Sequence, residues 1–343
     1  MKAMVLERFG EPLVGRDVPD PIIESHEVLV RVRANGVCAT DLKMIEGLVP
    51  TVTLPHVLGH EVAGEIADVG ADVRGLRPGD HVTVYPTLGC GFCDACRTGS
   101  ENLCPRAPRT GFEMHGGFAE LLRTHGRNAV KIDPAVPFEQ AAILPDAVAA
   151  TYHGLVHRAR VRAGETVVVV GVGGLGIHAV QVARVAGARV IAVDVVPAKL
   201  RAAEEFGAET VVVDEGDSLA ASVKALTDGI GADVVVECVG GDVVSAVLRD
   251  SAACLRTGGR LLVLGYAYGQ PLTVDSAELI YGQWSILGSR ASTLQDVVDV
   301  ARQVERGLLK PVVSERFALE QANEALALLR ESPPLGRVVL TSS

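Results

Sequence analysis

Thr166-Val167-Val168-Val169-Val170-Gly171-Val172-Gly173-Gly174-Leu175-Gly176 runs from a β-branched segment straight into a glycine turn. The segment is apolar throughout, the pattern of a strand covered on both faces. In the turn, Gly171 permits a tight reversal, Gly173 and Gly174 let the backbone approach a diphosphate, and Gly176 lets helix and strand pack closely. Amide groups at the start of the helix expected over Leu175 to Ala186 then face the anion. Glycine turns also serve as plain connectors, so the next strand carries weight. It closes on Asp194, roughly 20 positions beyond the turn, where a carboxylate accepts hydrogen bonds from both hydroxyls of an adenosine ribose. A 2′-phosphate there would meet like charge, and Val195 and Val196 offer no arginine, so NAD is expected over NADP. An aspartate that only caps the turn before Pro197 is the alternative. Lys199 is placed near the adenosine end, or is an ordinary solvated lysine.

The same alternation continues outward. Arg189 to Val193, Thr210 to Val213, Asp233 to Glu237, Arg260 to Leu264 and Trp284 to Leu287 read as strands, with a helix over Ala198 to Phe206. Apolar strands alternating with helices indicate a parallel sheet, hence an α/β fold. Before Gly164 the character differs. Short extended runs at Glu27 to Arg33, His60 to Val69 and His81 to Tyr85, punctuated by turns such as Pro78-Gly79-Asp80, indicate a β-rich domain with no long helical stretch before Phe138. The last 50 or so residues hold two helical patterns and an extended Arg337 to Leu340.

A chain of 343 residues exceeds the usual size of a single core, so two domains are expected. The formal charge is −10, with 42 acidic against 32 basic residues and no dense basic block, which excludes a nucleic-acid partner. No run approaches the roughly 18 apolar residues of a membrane helix. Met1 to Glu7 carries no secretory pattern, and a cytoplasmic protein is expected.

Cys90, Cys93, Cys96 and Cys104 are separated by two, two and seven residues. Thiolates so spaced converge on one tetrahedral ion while Gly89, Gly91 and Gly99 relieve the chain path. Four thiolates fill the coordination sphere, which makes the expected zinc structural, with an iron-sulfur cluster as the alternative. Gly59-His60-Glu61 and Cys38-Ala39-Thr40-Asp41 lie outside this set and provide too few donors for a closed site. An open zinc needs three protein ligands and a free position.

Together these segments resemble the zinc-dependent medium-chain alcohol dehydrogenase family, in family order and over essentially the whole chain. The resemblance extends to bacterial secondary-alcohol dehydrogenases with an aspartate zinc ligand. It implies a GroES-like catalytic domain at 1–150, a Rossmann NAD domain at 151–288, and a segment at 289–343 that returns to the catalytic domain. It further implies two zinc ions per chain, Cys38 and His60 being two ligands of the catalytic one. The third departs from the commonest pattern: Asp146 stands where many members have cysteine, with Glu61 as rival ligand and a helix-capping role as the alternative. Asp41 is a candidate to orient His60.

The implied chemistry is deprotonation of an alcohol at zinc, Thr40 bonded to its oxygen, with hydride passing to nicotinamide. Lys43 replaces a histidine often found three residues beyond the Thr or Ser. A lysine relays protons poorly unless desolvated, which leaves a solvent path, or His56, for the last step. The resemblance places Pro86, Leu264, Tyr266 and Leu287 near substrate or nicotinamide, and Arg337 on the cofactor unless it is a surface charge beside Val338. These apolar residues, with Leu48 to Leu54, favour a small or medium hydrophobic alcohol, secondary first, over a polyol or cyclic hydroxy compound. A homo-oligomer, tetramer or dimer, is implied. The two competing classes are a zinc-free quinone or enone reductase, which should lack these cysteines, and a noncatalytic NAD-binding protein.

Overall fold

The computed structural model describes residues 1–213 and 218–342. The chain forms two compact units, Met1–Ala149 with Ser292–Ser343, and Ala150–Ala291.

The second unit is built on six parallel strands: β1 (Thr166–Val170), β2 (Arg189–Asp194), β3 (Glu209–Val212), β4 (Ala232–Glu237), β5 (Leu255–Val263) and β6 (Ser285–Gly288). Their order in the sheet is β3-β2-β1-β4-β5-β6. The connections therefore run outward in opposite directions from β1 and β4, which opens a crevice at the carboxyl ends of those two strands. Val167 to Val170 and Val234 to Val236 are buried, as an apolar run covered on both faces requires. The helix after the glycine turn spans Gly176–Val185, and the next spans Pro197–Glu205. β5 begins earlier than the expected Arg260 because Gly258-Gly259, which reads as a turn, lies inside the strand.

In the first unit one long strand, Glu27–Val37, is the centre of a seven-stranded sheet. Along one edge it pairs with Glu61–Val69, and along the other with Leu121–His125 and Arg337–Thr341. Its inward side chains Val28, Val30 and Val32 share a core with Val62, Ile66, Val82 and Val84. A second core joins Val37, Met44, Leu58 and Phe118 to Val338 and Leu340. The last strand of the chain is thus an internal member of the first unit's sheet. Beyond it lies Val313–Ala318, a parallel edge strand that sequence reading did not find, since Ser314, Glu315 and Arg316 interrupt any apolar pattern. A helix at Ala39–Ile45, also unforeseen, begins directly after Cys38.

Backbone geometry at the glycine turn leaves little freedom. Gly171 has φ +88°, and a Cβ at Gly176 would overlap the Gly171 carbonyl oxygen. Gly176→Ala should therefore cost about 1–3 kcal/mol by overpacking. A lower urea midpoint with unchanged slope would bear this out, and an unshifted midpoint would refute the packing argument.

Candidate metal centres and nucleotide turn

At the carboxyl end of β2, Asp194 accepts hydrogen bonds from the Val172 amide (2.7 Å) and the Val196 amide (2.9 Å). The carboxylate so ties the glycine turn to its own strand. A carboxylate has about four acceptor sites, so capacity for two hydroxyls is left. A Cβ at Gly173 would meet nothing within 4 Å, which is the open cradle an approaching diphosphate needs. Lys199 is half-buried on the following helix. Leu264 and Tyr266 follow the end of β5, Tyr266 exposed, and Leu287 is half-buried in β6. These residues and the turn belong to one unit.

The four cysteines of the first unit also come together. Cys93 precedes the short helix Asp94–Arg97, which carries Cys96, and Cys104 follows the turn at Glu101–Leu103. One sulfur from each lies within 4.8 Å of the others, with Cys90 and Cys96 at 4.0 Å, and none is in a disulfide. Tetrahedral ligands about 2.3 Å from zinc stand about 3.8 Å apart, so the arrangement fits the ion. The Phe92 and Cys93 amides lower the Cys90 thiol to about 6, whereas desolvation pushes Cys96 up to about 12. Without a cation the four cannot all ionise together; a dication removes that conflict. A Cβ at Gly89 would stand 2.9 Å from the Cys96 sulfur, so the absence of a side chain there leaves the sulfur its place.

The second cluster is assembled by strand register. Gly36 pairs with Glu61 and Val37 with Val338, which brings Cys38, His60-Glu61 and Arg337 to neighbouring strand ends. Asp146 arrives from a different element. Leu144–Val148 is a wide helical turn, with the Val148 amide on the Ile143 carbonyl at 3.3 Å, an i to i+5 bond of the kind found at functional sites. Pro145, without an amide hydrogen, begins it, and its carbonyl accepts from the Ser292 hydroxyl at 2.9 Å. The turn directs Asp146 toward the cluster, where it makes side-chain contacts rather than acting only as a cap.

Cys38 Sγ stands 3.6 Å and His60 Nε2 3.8 Å from Asp146 Oδ2. These separations match the edges of a zinc tetrahedron, roughly 3.4–3.8 Å for mixed N, O and S ligands. Glu61 completes a group whose donor atoms all lie within 4.8 Å. Behind His60, its Nδ1 lies 3.3 Å from Asp41 Oδ1, while Asp41 Oδ2 accepts from the Cys38 amide at 2.8 Å. One fully buried carboxylate thus bonds the Cys38 backbone and lies beside the His60 ring. A Cβ at Gly36 would overlap Glu61 Oε2, so only glycine leaves space for that carboxylate.

Arg337 contacts this cluster directly. It is 6% exposed, which removes the surface-charge reading, and its Nη2 lies 2.8 Å from Glu61 Oε1 and 2.9 Å from Asp146 Oδ2. The cofactor role expected for it has to be compatible with this double pairing. Burial opposes ionisation of Asp146, yet His60 and Arg337 hold its carboxyl well below the usual range. Burial pushes Glu61 well up, beyond what Arg337 pulls down. Burial also opposes the Cys38 thiolate, but Arg337 and His60 lower that thiol. Burial opposes the charged form of His60, but Asp41 and Asp146 outweigh it and raise the imidazole well above its usual value; the acidic donors around it call for a cation.

Thr40 is half-exposed in the first turn of Ala39–Ile45. Lys43, in its last turn, is half-buried and its pKa is lowered by desolvation, against the opposing pull of Cys38 and Glu46. His56 is buried beside the His115 ring at 5.2 Å, as a packing residue of its short strand. Pro86 is half-buried, its carbonyl accepting from the Thr110 amide at 2.9 Å.

The comparisons agree with this geometry. Residues 24–134 match the alcohol dehydrogenase GroES-like domain, and residues 174–306 match the zinc-binding dehydrogenase domain. An alcohol dehydrogenase of Geobacillus stearothermophilus is 36% identical, with 99% of each chain covered. The chain belongs to the zinc-dependent medium-chain alcohol dehydrogenase family. A solved NAD-dependent alcohol dehydrogenase superposes with a TM-score of 0.94 at 35% identity, covering 100% of both chains. An acryloyl-coenzyme A reductase of Metallosphaera sedula is 32% identical, with 100% of both chains covered. As a family member, the protein is an NAD- and zinc-dependent oxidoreductase of small organic substrates, with a GroES-like domain and a Rossmann domain. Among the described residues no helix is long and apolar enough to cross a membrane.

Sequence reading passed over Glu237. It closes β4, is fully buried, and accepts from the Val239 and Gly240 amides at 2.6 and 2.9 Å. Burial raises its carboxyl pKa against those hydrogen bonds. A charged residue that directly follows the apolar run Val234 to Val236, just before Gly240-Gly241, was the available signal.

Replacing Arg337 by Gln should cost about 3–5 kcal/mol, because buried Glu61 and half-buried Asp146 lose their countercharge. Chemical denaturation of the zinc-loaded protein measures this, and a loss under about 1 kcal/mol would show that the pairing carries little. Cys93→Ser should release one zinc and lower the melting temperature while leaving the other zinc bound; retention of both ions would contradict the closed four-cysteine site.

Proposed function

We propose that the protein interconverts a hydrophobic secondary alcohol and its ketone with NAD. The observation that carries this reading is the mixed donor set: Cys38, His60 and Asp146 at tetrahedral spacing, with Glu61, the fourth donor within reach, paired to Arg337. With Glu61 held by the arginine, three donors remain for an ion, and the open position is what a substrate oxygen requires.

In this reading Cys38, His60 and Asp146 hold the catalytic zinc and Cys90, Cys93, Cys96 and Cys104 the structural one. When bound, the catalytic ion supplies a Lewis acid that lowers an alcohol's pKa and polarises a carbonyl, and nicotinamide supplies hydride exchange. Asp41 fixes the ring of His60 so that Nε2 is the free nitrogen. Thr40 accepts the alcohol proton at Oγ1 as its own hydroxyl proton leaves toward the nicotinamide ribose. Lys43, desolvated as a useful relay must be, or water passes it on. Asp194 selects a ribose with a free 2′-hydroxyl. Leu264, Tyr266 and Leu287 in the second unit, and separately Pro86 in the first, are side chains suited to alkyl groups. The protein acts in the cytoplasm as a dimer or tetramer, which light scattering would test.

A second reading, reduction of an enoyl thioester, is favoured by the acryloyl-coenzyme A reductases among the relatives, at 32% and 30% identity. One set of assays separates the two. NADH absorbance is followed with a series of ketones and, separately, with acryloyl-coenzyme A. Faster turnover of ketones by at least tenfold in kcat/KM, roughly 1.4 kcal/mol, supports the first reading, and the reverse order replaces it. Asp146→Asn should reduce bound zinc from two ions to one and depress ketone reduction by at least about a hundredfold. Two retained zincs with near-normal turnover would transfer the third-ligand role to Glu61.

A further inference from the structure

The second unit contains a basic recess whose arginines take no part in this chemistry. It lies where the last helical turn, His153–Arg158, and the following loop meet the start of the β5–β6 pairing, in which Arg260 opposes Ser285. That is the amino-terminal side of the parallel sheet; Gly171 and Asp194 are at the carboxyl ends of its strands. The cavity measures about 370 Å³; its lining includes Arg158, Arg160, Arg162, Arg260, His157 and Ser285, with Leu287 at an apolar edge.

Four guanidinium groups around one recess repel one another unless anions intervene. Among the described residues the carboxylate paired with any of them is Glu165, which binds Arg260 Nη2 at 2.6 Å and the Arg162 backbone amide at 2.9 Å. Arg158 donates to the Gly288 carbonyl at 3.1 Å, a neutral partner. Arg160 and Arg162 have exposed side chains with no carboxylate on them. Arg260 Nε is buried and makes no hydrogen bond, which for a charged donor calls for a partner. Arg160 also adopts φ +52°, a conformation rare outside glycine and asparagine, which turns its side chain out of the path of an ordinary loop. Such a concentration of positive charge is unexpected in a chain of net charge −10.

We propose that this recess binds a phosphate-bearing anion at a site separate from the dinucleotide turn. Guanidinium forks match phosphate oxygens in pairs. A phosphate ester carries about −1.5 to −2 charges, so two phosphate groups balance the three arginines that Glu165 does not neutralise. The volume is within the range of small-ligand pockets, roughly 300–1,000 Å³, and accommodates a diphosphate with part of the group it is attached to. The site is independent of the choice between alcohol and thioester substrates.

Titration calorimetry of the full zinc-loaded chain saturated with NADH tests the proposal, since the nucleotide turn is then occupied. The probes are inorganic pyrophosphate, a nucleoside diphosphate, and sulfate at matched ionic strength. Saturable, salt-sensitive binding of pyrophosphate, tighter than sulfate, is expected; tighter binding of the nucleoside diphosphate identifies an organic ester as the source, and equal binding identifies the free anion. The paired change Arg160→Asn and Arg162→Gln keeps a residue tolerant of the left-handed backbone and leaves the Arg260–Glu165 pair intact. It should weaken pyrophosphate at least about tenfold while NADH affinity, zinc content and the anion-free melting temperature stay unchanged. Absence of saturable binding, or equal affinity in the variant, would overturn the site. So would a variant that alters the association state without affecting the anion, since the recess would then be a contact between copies.

Discussion

Acidic groups buried together persist only where countercharge is built in beside them, and this constraint organises the first unit. Cys38, Asp41 and Glu61 are buried and meet half-buried Asp146, opposed by Arg337 and His60. Moving an unpaired carboxylate into such a place costs more than any single packing contact returns. Arg337 supplies one positive charge and zinc two. The metal and the arginine are therefore parts of one electrostatic balance. That explains why a charged residue from the far end of the sequence belongs to the interior.

The path of the backbone follows from this requirement. Arg337 reaches the cluster because the terminal strand pairs with the end of Glu27–Val37, which sets Val338 opposite Val37. Glu61 reaches it because Gly36 has no side chain. Asp146 reaches it through a helix widened by one residue, an irregularity that turns a side chain without breaking the element. The apolar faces that hold these elements are ordinary: Val37, Phe118, Val338 and Leu340 share one core. Packing supplies the stability, and register supplies the chemistry.

These two contributions differ in how well a sequence displays them. The parallel sheet was legible to within a residue or two at most strand ends, because a strand buried on both faces has to be continuously apolar. β5 was read short, since Gly258-Gly259 has the local signature of a turn while its neighbours enforce a strand. Val313–Ala318 was missed because an edge strand with one solvated face tolerates charge. Cysteine spacing announced the metal lobe, since all four donors are local. The second cluster could be approached from Cys38, His60 and Asp146 only through family resemblance. Arg337 shows the limit: its place beside Glu61 and Asp146 depends on a strand pairing across nearly the whole chain, and nothing near it in sequence encodes that pairing.

The contrast between the two clusters also gives a reason for an aspartate, rather than a further cysteine, at position 146. A thiolate is a weak hydrogen-bond acceptor, whereas each carboxylate oxygen has two lone pairs. Asp146 Oδ2 lies 2.9 Å from Arg337 Nη2 and at ligand-edge distance from both Cys38 and His60. One lone pair can meet the guanidinium while the other meets a cation. A cysteine at this position would leave Arg337 with Glu61 alone and strengthen that pair. Substitution of Asp146 would then alter the Arg337–Glu61 pair as well as the donor set. On this argument Asp146 and Arg337 are one unit: the carboxylate is suited to the site because the arginine is there to share it.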